Sequence, residues 1–406
     1  FTICFYFMFC NYIILFLHTF ERSLKIMEKQ SDLINYSSAN QLTDLFGMNH
    51  EKVLICQDKD SGLKAIIAVH NTAIGPALGG CRMWNYENEE AALKDVLRLS
   101  RGMSYKAAIA GLNLGGGKAV IIGDSKKHKN EILFRSFGRF VQGLAGRYIT
   151  AEDVGTSVKD MEWVRMETQY VTGISRALGG SGDPSPVTAL GTFSGIKAAV
   201  KKHLGKDSLD DLKIGIQGVG HVGYHLCRFL KKERAHLYVT DLYDNSIKKV
   251  VNEFGVTPLD REEIYDADID IYSPCAMGAT LDDDTIPRLK CSIVAGAANN
   301  QLKKEEIHSK MLKDRGILYA PDYAINAGGL INVANEIGGY NRERAFRKAE
   351  EGIYDTLLAI FKRSEDDGVT THSAALKVAE KRMMDITKLK NIYLPKKNVM
   401  FKRDNN

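Results

Sequence analysis

Two lysines, Lys106 and Lys118, lie twelve positions apart in the stretch Gly102 to Gly123, and nearly everything around them is apolar or glycine. Surface lysines usually sit among other charges, whereas these are flanked by Met103, Ala107, Ile109, Leu112, Leu114, Val120 and Ile121, residues that favour burial. An ammonium in that setting must meet an anion or surrender its proton, because an unpaired buried charge is costly. Gly115, Gly116 and Gly117 precede Lys118 and let the backbone approach a small ligand and adopt positive φ. The pattern points to a pocket that holds a small anion between two ammonium groups. The plainer alternative is that both lysines snorkel to solvent from a half-buried helix and turn.

A carboxylate stands ready to join them. Tyr148 to Thr150 reads as a short strand, and Ala151-Glu152-Asp153-Val154-Gly155-Thr156 follows it. An acid at a strand end, ahead of a glycine, is placed to point into a cleft; the alternative is that Asp153 or Thr156 merely caps the helix beginning near Ser157. A second constellation starts at Lys213 to Gln217, a strand that runs into Gly218-Val219-Gly220-His221-Val222-Gly223 and then a helix. This is the GxGxxG pattern in its required context: Gly218 for the tight turn, Gly220 to admit a pyrophosphate, Gly223 for close helix packing, and a helix N-terminus for the charge. The next strand, His236 to Thr240, ends at Asp241, whose carboxylate suits two ribose hydroxyls and repels a 2′-phosphate, so NAD is favoured over NADP. Lys248 and Lys249 are the features that weaken that preference, and His221 reads as a solvent-facing filler of the turn. A plain strand-turn-helix with coincidental glycines is the competing reading.

The elements that must carry these residues follow from periodicity. Lys52 to Gln57 and Leu63 to His70 make a hairpin across Asp58 to Gly62, while Gly75-Pro76 and Gly79-Gly80 break regular structure after it. Helical spacing marks Glu89 to Met103 and Asn130 to Leu144, with Lys118 to Ile122 a strand between them. Thr172 to Pro186, rich in Gly, Ser and Pro, reads as a hinge before a helix from Val187 to His203. Strands at Ile269 to Ser273, Ser292 to Ala295 and Ile317 to Ala320 continue a doubly wound sheet, and Cys275, Ala276, Asn299 and Asn300 at their ends should border the nicotinamide half of the cofactor. Helices around Ala345 to Arg363 and Ser373 to Met384 return to the first domain. The expected fold is α/β with two domains: a substrate and assembly domain over 27–172, a Rossmann NAD-binding domain over 173–368, and a closing segment over 369–406.

The whole chain sets outer bounds. Its 406 residues, 44% hydrophobic and 26% charged, suffice for two cores, and a net charge of +5 with interspersed signs leaves no nucleic-acid stripe beyond the short basic end Lys396, Lys397, Lys402 and Arg403. Seven cysteines without CxxC pairs or histidine partners at metal spacing imply no metal site and reduced thiols in a cytoplasmic protein. Phe1 to Phe20 carries no charge and is long enough to cross a bilayer, yet nothing basic precedes it and Met27 opens a polar run. We read residues 1–26 as translated upstream sequence with Met27 as the start; a membrane anchor is the alternative.

With these pieces assembled, the sequence resembles the family of glutamate, leucine, phenylalanine and valine dehydrogenases, most closely its leucine-specific branch. The resemblance rests on Gly75 to Trp84, Gly102 to Lys106, Gly111 to Lys118, Ala151 to Thr156, Gly182 to Ala189, Gln217 to Gly223, Ser273 to Ala279, Ala297 to Leu302 and Pro321 to Val333, and so spans about Val53 to Met384. It implies NAD-dependent, reversible oxidative deamination of branched-chain L-amino acids, leucine with valine and isoleucine, to 2-oxo acids and ammonia by a homo-oligomer, an octamer in this branch. By similarity Lys106 holds the substrate carboxylate, Lys118 is the lysine of lowered pKa that activates water, and Asp153 exchanges protons with the amino group. Leu78, Gly79, Ala151, Leu330 and Val333 would line the substrate pocket, with Leu78 where the glutamate enzymes carry a lysine. Thr188 joins Gly218 to Gly223, Asp241, Cys275, Ala276, Asn299 and Asn300 on the cofactor side. Asp183 departs from the family pattern, where asparagine is common. An aromatic amino-acid specificity on the same fold, or an NAD-binding protein without catalysis, are the rival functions.

Overall fold

The computed structural model describes residues 49–389 apart from Met277, and those from Glu51 onward belong to one compact unit. The apolar run at Phe1 to Phe20, Cys4, Cys10 and the basic end therefore lie outside the described residues. Among the described residues no helix is long and apolar enough to cross a membrane.

The first sheet has five strands in the order β1-β2-β4-β3-β5. β1 (Lys52–Asp58) and β2 (Leu63–Asn71) form the expected antiparallel hairpin. Its turn is closed by Gly62 in the left-handed region and by the Ser61 hydroxyl donating to Asp58 Oδ2 at 2.5 Å. β4 (Gly115–Ile122) runs antiparallel to β2, and β3 (Ala77–Trp84) lies parallel between β4 and β5 (Tyr148–Glu152). Three helices cover it: α1 (Glu89–Ile109), α2 (Glu131–Gly143) and α3 (Val158–Arg165). Asn88 and Asn130 cap the first two by accepting backbone N–H groups of Ala91 and Leu133. Leu133, Phe134, Phe137 and Val141 of α2 bury against Ala65, Ile67, Met83 and Ile121 on one face of the sheet. The other face belongs to α1.

Two glycine runs depart from expectation. Gly79-Gly80, expected to break structure, lie inside β3, and Gly115-Gly116-Gly117, expected as a ligand loop with positive φ, open β4 with none of the five in the left-handed region. A Cβ on Gly79 would stand 1.7 Å from the Gly117 carbonyl oxygen, one on Gly116 2.1 Å from the Ser104 nitrogen of α1, and one on Gly117 2.7 Å from the Tyr148 ring. These glycines admit the protein's own backbone and rings at close range.

The second sheet has six strands in the order β11-β10-β9-β6-β7-β8, with every pair parallel. They are β6 (Lys213–Gln217), β7 (His236–Thr240), β8 (Thr257–Pro258), β9 (Ile271–Pro274), β10 (Ile293–Val294) and β11 (Leu318–Tyr319). The order reverses beside β6, and a crevice at the carboxyl ends of strands opens at such a point. Helices α4 (Ser185–Leu204), α5 (His221–Lys232), α6 (Asp244–Phe254), α7 (Glu305–Asp314), α8 (Asp322–Ile325) and α9 (Gly328–Ala334) connect and cover these strands. α10 (Arg342–Asp367) and α11 (Thr371–Leu389) complete the described chain. As expected they return to the first sheet: Thr356 donates to the Ile109 carbonyl, and Arg382 donates to the Leu112 carbonyl and to Asn113 Oδ1 at 3.3 and 3.0 Å. The loop between the two lysines is thereby held from behind.

Candidate functional site

Side chains alternate across a strand, so Leu78, Gly80 and Arg82 of β3 share the α1-covered face with Gly116, Lys118 and Val120 of β4 and with Ile149 and Ala151 of β5. Register turns this into rows. Leu78 pairs with both Gly116 and Ile149, Gly80 pairs with Ala151, and the flanking pairs Leu78↔Gly116 and Arg82↔Val120 set Lys118 level with Gly80. The row Lys118, Gly80, Ala151 is thus a long cation beside two of the smallest residues, a floor with room above it.

Asp153 follows β5 and turns over that floor; a Cβ on Gly80 would lie 2.8 Å from the Asp153 Cβ, so only glycine there leaves the acid its place. Its Oδ1 meets Lys118 Nζ at 2.8 Å and its Oδ2 meets Arg82 Nε at 3.0 Å. Desolvation pushes the Asp153 carboxyl up, but the Lys118 ammonium and then the Arg82 guanidinium outweigh it and hold the group below the usual carboxylate range. Capping is done by others: Ser157 and Asp160 form the capping box of α3, while the Thr156 hydroxyl accepts from Asp153 N and donates to the Cys81 carbonyl, both at 2.8 Å. The Lys118 side chain is only 5% exposed, which sets aside the snorkelling alternative for it.

Lys106 sits in the last turn of α1, half-buried. Burial pushes its ammonium down to about 8, with the Asp322 carboxylate at the start of α8 pulling the other way. Lys118, by contrast, meets the Asp153 carboxylate directly. Leu78 is buried at 1% exposure, Ala151 at 6% and Leu330 at 6%, and Val333 packs on the apolar cluster that holds Leu78 and Leu330. Gly79 faces away from this floor, its carbonyl taken by the Tyr148 hydroxyl at 2.7 Å.

The glycine turn has the geometry its spacing requires. Gly218 adopts φ +100, a Cβ on Gly223 would stand 2.0 Å from the Gly218 carbonyl oxygen, and no atom lies within 4 Å of where a Cβ on Gly220 would be. The first and third glycines let helix meet strand; the second faces open space, as a turn that receives pyrophosphate must. Val219 N donates to Asp241 Oδ2 at 2.7 Å, which fixes the acid beside the turn, while His221 lies exposed and Val222 half-buried at the start of α5. Cys275 and Ala276 close the turn from β9: Cys275 N bonds the Gln217 carbonyl, and Ala276 lies against the Gly218 Cα. Asn299 accepts from Asn326 Nδ2 at 2.7 Å, and Asn300, at φ +51, donates its backbone N–H to Asp322. Thr188 lies in the first turn of α4, half-buried, its hydroxyl on the Pro184 carbonyl.

Four residues were missed by the sequence reading. Arg82 bridges Asp153 and Asp95, the latter at 2.9 Å; alternation along β3 from Leu78 was the signal that could have found it. Asp322 links Asn300 to the surroundings of Lys106. Glu336, three positions past Val333, accepts from the backbone of Gly173 at 3.1 Å and Ser181 at 2.8 Å, two points within the Thr172 to Pro186 segment. Arg261 donates to the Leu242 carbonyl at 3.2 Å, next to Asp241, although no arginine follows that acid closely in sequence.

Comparison with known proteins then adds independent ground. Residues 50–170 match the family model described as Glu/Leu/Phe/Val dehydrogenase, dimerisation domain, and residues 236–390 match the model Glutamate/Leucine/Phenylalanine/Valine dehydrogenase. The chain is 57% identical over 346 residues to leucine dehydrogenase of Thermoactinomyces intermedius, covering 85% of this chain and 94% of that protein. Leucine dehydrogenase of Bacillus subtilis (strain 168) matches at the same 57% identity, with the same coverage of 85% and 94%. Among solved structures, L-tryptophan dehydrogenase from Nostoc punctiforme superposes with a TM-score of 0.78 at 49% identity, covering 86% of this chain and 99% of that one.

Proposed function

Since the chain belongs to the glutamate/leucine/phenylalanine/valine dehydrogenase family, we propose that it is an NAD-dependent dehydrogenase of branched-chain L-amino acids, taking leucine, valine and isoleucine reversibly to their 2-oxo acids and ammonia. The observation that carries this reading is the Lys118–Asp153 pair, 2.8 Å apart over the floor of Gly80 and Ala151, with Lys106 above it on α1. A dinucleotide site needs the glycine turn alone; it does not need these three charges.

Lys106 takes the substrate α-carboxylate, whose negative charge restores the ammonium that burial discourages. NAD bound at Gly218 to Gly223, with Asp241 accepting from its ribose hydroxyls, supplies the hydride acceptor for the α-carbon. Lys118, as a neutral amine, draws a proton from water that attacks the resulting carbon–nitrogen double bond, and Asp153, protonated by the substrate's amino group before hydride transfer, returns that proton to the departing nitrogen. The two lysines differ in role: the Lys106 ammonium stays paired with the bound carboxylate, whereas Lys118 gives up its pairing with Asp153 when it sheds its proton. Leu78 excludes glutamate, since a buried leucine offers nothing to a distal carboxylate. Thr188, Cys275, Ala276, Asn299 and Asn300 are proposed on the cofactor side, Leu330, Val333 and the backbone at Gly79 on the substrate side. Closure across the segment from Gly173 to Ser181 would exclude water.

The free, buried thiols of Cys56, Cys81, Cys227 and Cys291 suit a reducing compartment, and the cytoplasm is the proposed location. A homo-oligomer, octameric as in the leucine-specific branch, is proposed, and light scattering gives its number.

The test is a panel of L-leucine, valine, isoleucine, phenylalanine, tryptophan and glutamate, each with NAD and with NADP. NADH should form with the three branched substrates and kcat/KM should fall for the rest. A preference for phenylalanine or tryptophan would move the pocket reading to aromatic side chains, the activity named for the Nostoc relative. Comparable rates with NADP would mean that Arg261 outweighs Asp241. No turnover with any amino acid, NAD binding intact, would leave a binding protein.

A further inference from the structure

Arg82 has no part in the roles assigned so far, yet it holds one of the two oxygens of Asp153. We propose that Arg82 is a positioning residue that holds Asp153 Oδ2 and keeps the carboxyl acidic, so that Oδ1 alone takes up a proton and gives it back; the assignment rests on the amino-acid dehydrogenase reading above.

The geometry supports it from both ends of the guanidinium. Nε meets Asp153 Oδ2 at 3.0 Å and Nη1 meets Asp95 Oδ2 at 2.9 Å, so the planar group is stretched between two acids and its orientation is set. Asp95 is itself fixed by the Tyr86 hydroxyl at 2.8 Å and by Arg98 at 3.2 Å. Arg82 and Asp153 are each 23% exposed at the side chain, so the pair is sheltered enough for its charge to count.

The need for a second cation follows from the chemistry. Lys118 must lose its proton to activate water, and at that moment the ion pair with Asp153 Oδ1 ceases to exist. A sheltered carboxylate whose only partner has become a neutral amine would climb toward protonation and hold on to the proton it is meant to pass on. A guanidinium cannot be deprotonated in a protein, so its charge stays constant while that of Lys118 cycles. The other groups that act on Asp153 do not replace it. Lys106 on α1 is committed to the substrate, and Cys81 on β3, Tyr148 on β5 and Tyr86 beyond β3 are all held neutral, their pKa values pushed up chiefly by burial.

The experiment measures kcat/KM for L-leucine against pH with the full-length wild type, Arg82→Gln and Arg82→Lys. Glutamine keeps a donor for the neighbouring acids but removes the charge, so the acid limb should move up by about one pH unit, the size of effect an adjacent opposite charge has on a carboxylate. Lysine keeps the charge but loses the fork, so it should hold the wild-type limb while kcat falls. An unmoved limb in R82Q, or one that moves as far in R82K, overturns the proposal. Should R82Q fail to fold, R82K decides alone: a displaced limb, or a kcat equal to wild type, overturns it. Wild type that makes no NADH from any amino acid sinks the functional reading itself; an active wild type with an unmoved R82Q limb sinks only Arg82.

Discussion

Lys106 is an anion trap that works only while it carries its proton. With burial pushing it down to about 8, it is an ammonium in the free protein below that pH and neutral above it. Capture of an amino-acid carboxylate should therefore weaken as pH rises through about 8: kcat/KM for leucine declines on that side, while NAD affinity, set at the glycine turn, does not follow. Lys106→Met should raise KM for leucine by roughly 10- to 100-fold, the equivalent of about 1.5–3 kcal/mol for one charge-assisted bond. Steady-state kinetics across pH 6.5–9.5 check both outcomes, and a flat profile would remove Lys106 from carboxylate binding. At this scale the sequence was informative about the two lysines and Asp153, because charge among apolar residues is visible in one dimension. Arg82 was hidden because its partners lie 13 and 71 positions away. That burial would depress Lys106 was hidden too, since it depends on what folds over it.

For the elements, the separation of Lys106 from Lys118 is set by how closely α1 lies on β4. Gly116 is the point of closest approach: an added Cβ would meet Ser104 N at 2.1 Å, Ser104 Oγ at 2.4 Å and the Ser100 carbonyl oxygen at 2.6 Å. Two of these three atoms are backbone and cannot swing away. Gly116→Ala should push helix from strand, cost about 1–3 kcal/mol as overpacking does, and depress kcat beyond what the lost stability explains. A denaturation midpoint and a leucine rate at a temperature where the variant is fully folded test the two parts; wild-type values for both would show that the helix yields without consequence. Helices, hairpin and doubly wound order were all legible from periodicity and turn residues. The glycine runs were misread because one sequence cannot tell a glycine that makes room for a ligand from one that makes room for a neighbouring strand. β10 and β11 span two residues each, shorter than the apolar runs that suggested them.

In the whole molecule, the Thr172 to Pro186 segment lies on the connection between the two sheets, and Glu336 grips it at Gly173 and Ser181. Burial pushes the Glu336 carboxyl up, and the backbone N–H groups it accepts from pull it back, so its charge serves as a clasp on the joint. Glu336→Ala should free the segment and change kcat and KM together, by about tenfold or more in kcat/KM, as hinge substitutions do. Small-angle scattering with NAD and a 2-oxo acid should show less compaction than wild type; unchanged kinetics and scattering would reduce Glu336 to a loop anchor. The Gly, Ser and Pro cluster suggests a hinge in sequence; Glu336 was hidden, because it lies 155 positions from Ser181.

The row of Lys118, Gly80 and Ala151 carries one more implication. Glycine and alanine have no χ angles, so the surface beneath a substrate cannot rearrange to suit it and acts as a fixed template. Whatever range of side-chain sizes the protein accepts must be accommodated by the walls, where Leu78, Leu330 and Val333 have rotamers to exchange. Breadth of substrate and rigidity of chemistry are thereby assigned to different residues, and altering the first need not disturb the second.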